Sequence, residues 1–113
     1  MRSRSAADDT GAAATEFAVA LPAVVLVLAV CIGAIGVCSQ QLRLQDAAAD
    51  AARELGRGQS ASDVAARIPE GARLHSWTTG SFVCARLTAA ARGPAAVAGL
   101  ELAAESCALD GGR

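Results

Sequence analysis

The chain has 113 residues, a formal net charge of -1, 53% hydrophobic residues and only 3% aromatic ones. That length holds one domain at most, and the near-neutral balance, with no Lys and with Arg43, Arg53, Arg57, Arg67, Arg73, Arg86 and Arg92 set singly along the chain, gives no support to nucleic-acid binding. His75 is the only histidine and the four cysteines lack zinc-site spacing, so neither an enzyme nor a metal or other cofactor is expected.

Residues 1–11 are short and polar and read as a leader without regular structure. From Phe17 to Leu42 there is no formal charge, and Phe17 to Cys38 is almost wholly Ala, Val, Leu, Ile and Gly, which predicts a transmembrane helix. The helix can start at Ala12 and run to about Leu55, where Gly56 and Gly58 offer stop signals. At about 1.5 Å per residue it would be a rod on the order of 65 Å long. Pro22 lies within it and could kink it locally. A cleavable secretory signal fits poorly, because the run exceeds the usual apolar core of about 7–15 residues and Asp8, Asp9 and Glu16 sit badly in a basic leader. Gly33, Gly36, Ala29 and Ala34 make a small surface that permits close helix approach in lipid. Cys31 and Cys38 fall on similar helix faces and read as membrane packing. Glu16 stands on the threshold of the run. A carboxylate there is costly to bury without a cation, which makes it a candidate functional residue.

Beyond the membrane, Leu44, Ala47, Ala48, Ala51, Ala52 and Leu55 recur at helical spacing, with Arg43, Asp46, Asp50, Arg53 and Glu54 largely opposite. This apolar stripe either lies under the C-terminal module or packs against neighbouring helices, and the two can hold for different parts of it. Ser60-Ala61-Ser62-Asp63 is similar to a capping box and predicts a short helix from about Ala61 to Ile68, ended by Pro69 to Gly71. Leu74 to Trp77 and Phe82 to Leu87 then flank Thr78-Thr79-Gly80-Ser81, a hairpin with its turn at Thr79-Gly80 and Trp77 facing Phe82. Gly93-Pro94 breaks the chain again. Leu100, Leu102 and Ala104 alternate with Glu101, Ala103 and Glu105, which suits a third strand more than the helix that the Ala content would also allow.

Gly11-Ala12-Ala13-Ala14-Thr15-Glu16-Phe17, leading directly into the apolar run, resembles the processing site of type IV prepilins. The Ala18-Val19-Ala20-Leu21-Pro22 opening and the later Gln45-Asp46-Ala47-Ala48-Ala49-Asp50-Ala51-Ala52-Arg53 extend that resemblance to the TadE-like pseudopilins of tight-adherence (Flp, type IVc) pilus systems, over about Gly11 to Gly58. What the resemblance implies is cleavage between Gly11 and Ala12 by a prepilin peptidase, and assembly through the helix with other pilin or pseudopilin subunits and pilus assembly membrane proteins. It also implies a membrane location with the leader cytoplasmic and the C-terminus extracytoplasmic. Glu16 would then pair with the new amine of Ala12 on a neighbouring subunit, and Phe17, where major pilins carry Tyr, favours a minor component. On that topology Cys84 and Cys107 lie where disulfides persist, and joining them would stabilise so small a module. The alternative is an unprocessed single-pass membrane protein whose module binds or regulates. The expected fold is α+β: a leader over 1–11, a transmembrane helix over 12–40, its extension over 41–58 and a small module of a short helix and about three antiparallel strands over 59–113.

Overall fold

The computed structural model describes residues 4–111. Six elements follow in order: α1 (Arg4–Gly56), α2 (Ala61–Ala65), β1 (Arg73–Thr79), β2 (Phe82–Ala90), α3 (Pro94–Val97) and β3 (Glu101–Leu109). The α+β arrangement expected from the sequence is the one observed, with the third segment a strand. The chain divides into two compact units, Met1–Gly33 and Ala34–Arg113.

The first unit is helical as far as it is described. Helix α1 starts at Arg4, so most of the polar leader expected to lack regular structure is helical, and of that leader residues 1–3 lie outside the described residues. The reason is cooperativity: Ala6 and Ala7 are strong helix formers, and adding a turn to an existing helix avoids the cost of nucleation. Pro22 is accommodated inside the helix without ending it.

The second unit is built around the C-terminal part of α1 and a three-stranded antiparallel sheet in the order β1-β2-β3. The stripe on α1 is covered by the sheet: Leu44, Ala48, Ala51 and Ala52 are all buried. Leu44 and Ala48 join Leu87, Ala91, Leu102 and Ala104 in one cluster, and Ala51 and Ala52 join Val64 and Ala85 in the other. Alternation along β2 and β3 supplies the sheet side of this core. Leu87 is 0% exposed, and Leu102 and Ala104 are buried while Glu101, Ala103 and Glu105 face out. Alanines at the contact let helix and sheet approach closely, and the chain's larger aromatic side chains are left outside the core.

Helix α1 ends in a Schellman motif. Gly58, at φ +92°, turns the chain left-handed, and Gln59 N–H donates to Glu54 O at 3.2 Å while Gly58 N–H donates to Leu55 O at 3.0 Å. Gly58 is therefore the stop residue, and Gly56 has a different task. A Cβ on Gly56 would lie 2.6 Å from Leu109 O, so its bare backbone lets the helix end touch the end of β3. Gly111 N–H donates to Gly56 O at 2.8 Å in the same contact.

Ser60 caps α2, its Oγ accepting from Asp63 N–H at 3.2 Å, but the helix stops at Ala65 rather than near Ile68. With one buried residue, Val64, it has little to hold a longer helix in place.

The hairpin register differs from the expected one. Thr79 faces Phe82, Thr78 faces Val83 and Trp77 faces Cys84, so the loop is Gly80-Ser81 and Trp77 does not oppose Phe82. Gly80 has φ +58° and no other residue of the turn is left-handed, the glycine-first arrangement that matches strand twist. A shift of two residues leaves every side chain on its original face. Trp77 accordingly remains on the outer face, 5.5 Å from the His75 ring and 5.4 Å from the Arg86 guanidinium centre, with Arg86 hydrogen-bonded to its cross-strand partner Glu105.

Candidate functional site

Gly11, Ala12, Glu16 and Phe17 lie in sequence on α1, all exposed, and no other element approaches Gly11 within 4 Å of where a Cβ would stand. The local geometry is that of an uninterrupted helix, with the Thr15 hydroxyl donating to Gly11 O at 2.9 Å. A site of this kind is linear, read as a segment of chain and not as a pocket. Between Gly11 and Leu42 the only formal charge is that of Glu16. Downstream, Phe17 is 67%, Val19 71% and Ile32 69% exposed, and the apolar window of the helix has none of its residues buried inside the protein. Water is a poor solvent for such a surface, which exceeds by far the apolar patches soluble monomers present.

The membrane-competent stretch and the folded unit divide α1 between them. Val37 already packs against the core cluster, and Gln40 bonds to the sheet. The apolar stretch left uncovered, Phe17 to Gly36, spans about 30 Å at about 1.5 Å per residue, the thickness of a bilayer's hydrocarbon core. The second compact unit takes in the helix from Ala34. Cys31 and Cys38 are free thiols, both exposed on α1.

Three residues of the fold escaped sequence reasoning. Gln41 Nε2 donates to Ala103 O at 2.8 Å and Gln45 Nε2 to Glu105 O at 3.1 Å, so the helix covers the outer edge of β3. Four helical residues rise about 6 Å and two strand residues about 6.8 Å, which lets an i, i+4 pair of side chains reach alternate carbonyls. Gln40 closes the end of β2, donating to Ala90 O at 2.8 Å and accepting from Arg92 N–H at 2.9 Å. Only the i, i+4 spacing of Gln41 and Gln45 hints at this in the sequence.

Cys84 and Cys107 are direct cross-strand partners of β2 and β3, joined as a disulfide across a sequence separation of 23. Among the described residues no group of three or more His, Cys, Asp or Glu side chains is placed to hold a metal ion.

A family of TadE-like proteins matches residues 11–53. This segment is TadE-like. The match begins at Gly11, takes in Glu16, the apolar run, all three glutamines that bond to the sheet and most of the small-residue stripe, and stops before α2. A protein of Mycobacterium tuberculosis named apoptosis inhibitor Rv3655c is 43% identical over 77 residues, which cover 66% of this chain and 62% of that one. The similarity to it is longer than the TadE-like segment and so reaches beyond it. The chain spans less than two thirds of that relative. No solved structure gives a significant match.

Proposed function

We propose that this chain is a minor pseudopilin, a structural and assembly component of a tight-adherence (type IVc) pilus or a related secretion system. A prepilin peptidase removes the leader between Gly11 and Ala12. The mature chain then stays anchored by α1, its folded unit extracytoplasmic, and packs through that helix against other pilin or pseudopilin subunits. The role is binding and placement, not catalysis. The observation that carries the reading is the apolar helix, whose membrane-length window has no buried residue and which begins directly after Glu16, inside a segment that matches TadE-like proteins from Gly11 onward. A helix so exposed needs lipid or other helices around it. Mass spectrometry of membranes from the native host tests the proposal: the chain should begin at Ala12, and Gly11→Leu should abolish that terminus. Recovery of only the uncut N-terminus, with the peptidase present, refutes processing.

A second reading has one observation behind it. The relative at 43% identity is named an apoptosis inhibitor. In that reading Met1 to Gly11 stays attached and the folded unit binds a target.

A further inference from the structure

The two edges of the sheet are treated differently. On β3 the outward carbonyls of Ala103 and Glu105 are taken by Gln41 and Gln45. On β1 nothing equivalent exists. In a two-residue hairpin the closing pair, Thr79 and Phe82, exchanges its backbone bonds, so alternation turns the N–H and C=O of Leu74, Ser76 and Thr78 away from β2. Among the described residues no backbone or side-chain group bonds to these atoms. Where α2 meets β1, Val64 packs in the same cluster as the core-facing Leu74. Nor does β1 carry the usual protections of a free edge. It has no Pro, no bulge in its pairing and no charge pointing into the core, and it runs for seven residues.

We propose that this edge is where a second copy of the chain docks, the two β1 strands pairing antiparallel about Ser76 and joining two three-stranded sheets into one of six. The sequence of β1 is complementary to itself in that register. Ser76 meets Ser76, Leu74 meets Thr78, His75 meets Trp77 and Arg73 meets Thr79, so no like charges are opposed. On the outer face the His75 and Trp77 rings, already 5.5 Å apart, would continue into the partner's Trp77 and His75 as one aromatic strip. Trp77, only partly covered in the monomer, would gain further cover. A single strand pair buries less than the roughly 1,200 Å² of a stable standard interface. Detached copies in dilute solution should therefore remain apart, whereas copies anchored in one membrane meet at high effective concentration. The pairing uses membrane anchoring alone and does not depend on the cut after Gly11, so a failed pairing would leave the pilus reading intact, and the reverse.

The register supplies the test. Two tagged full-length chains are co-expressed in membranes with Cys31 and Cys38 changed to Ser, one bearing Arg73→Cys and the other Thr79→Cys. Both positions are exposed, so the fold should tolerate them. Mild oxidation should give a mixed dimer band. Neither variant alone should give one, because two copies of position 73, or of position 79, would lie about 20 Å apart along the strands. Adding Thr78→Pro removes an outward N–H without touching the β1–β2 ladder and should reduce the mixed band by about tenfold or more. An unchanged urea midpoint of Trp77 fluorescence in that variant establishes that β1 is still held in the sheet, since Trp77 lies on β1. No mixed band, equal bands from the single variants, or a crosslink to a different protein would overturn the proposal.

Discussion

Substituting Gly56 by Ala sets two physical effects against each other at one atom. As a helix residue, Gly56 should gain up to about 1 kcal/mol on acquiring a methyl group. The structure puts that methyl 2.6 Å from Leu109 O, a backbone atom at the end of β3 that no rotamer change can move. Ordinary contact requires about 3.4 Å, so the helix end or the strand end must shift by most of an ångström, straining the Gly111 N–H to Gly56 O bond of 2.8 Å. Overpacking of this kind costs about 1–3 kcal/mol, which leaves a net loss of about 1 kcal/mol once the propensity gain is offset. Trp77 is the only tryptophan and lies on β1, so its fluorescence reports the folded unit directly. In a urea titration of the full chain in detergent micelles, with a slope of about 1 kcal/mol per molar, the midpoint should fall by about 1 M. Gly36→Ala, at a helical glycine with nothing within 4 Å, is the control and should not lower it. A midpoint for Gly56→Ala that is unchanged or raised would refute the close approach.

Peptide mapping of protein taken from the native membrane without reductant should recover Cys84 and Cys107 in one crosslinked pair, and reduction should cost the folded unit roughly 3 kcal/mol given the sequence separation of 23. Two freely alkylatable thiols at those positions would count against an oxidised module. Replacing both Gln41 and Gln45 by Ala removes two side-chain bonds to the β3 edge, each contributing about 0.5–1.5 kcal/mol, and should lower stability by about 1–3 kcal/mol in the same urea assay.

What could be read in advance follows from how each signal is written. The apolar helix is legible because charge is absent from Phe17 to Leu42 over more than a bilayer's length. The buried stripe is legible because Leu44, Ala48, Ala51 and Ala52 repeat with helical period, and β3 because Leu102 and Ala104 alternate with glutamates. The hairpin register was not, since Gly80 can occupy either central position of a two-residue turn and only the three-dimensional twist selects the first. Helical structure before Ala12 was hidden by polar residues whose helicity depends on the helix that follows them. The glutamine caps were hidden because Gln is an ordinary surface residue until a strand edge is placed beside it. Gly56 looked like punctuation. Its contact with Leu109 O joins residues far apart in sequence, which no local pattern encodes.

The division of α1 fixes where Glu16 can matter. If Phe17 to Gly36 fills the hydrocarbon core, Glu16 sits at its boundary, where an isolated subunit can keep the carboxylate hydrated at little cost. Burial begins only when neighbouring helices surround it, and an uncompensated carboxylate then costs several kcal/mol. In the proposed pseudopilin an amine at Ala12 of a neighbour, exposed by a cut after Gly11, would offset much of that cost in one axial register only and so turn a penalty into a selection rule for assembly. Glu16→Gln keeps the shape and removes the charge. On the proposed reading the variant should therefore enter the membrane and be cut after Gly11, yet fail to co-purify with partner pilins or to support piliation. Membrane fractionation, N-terminal mass spectrometry and co-purification from one preparation separate these steps. Loss of cutting would place Glu16 in peptidase recognition instead, and normal assembly would show that the charge pair sets no register.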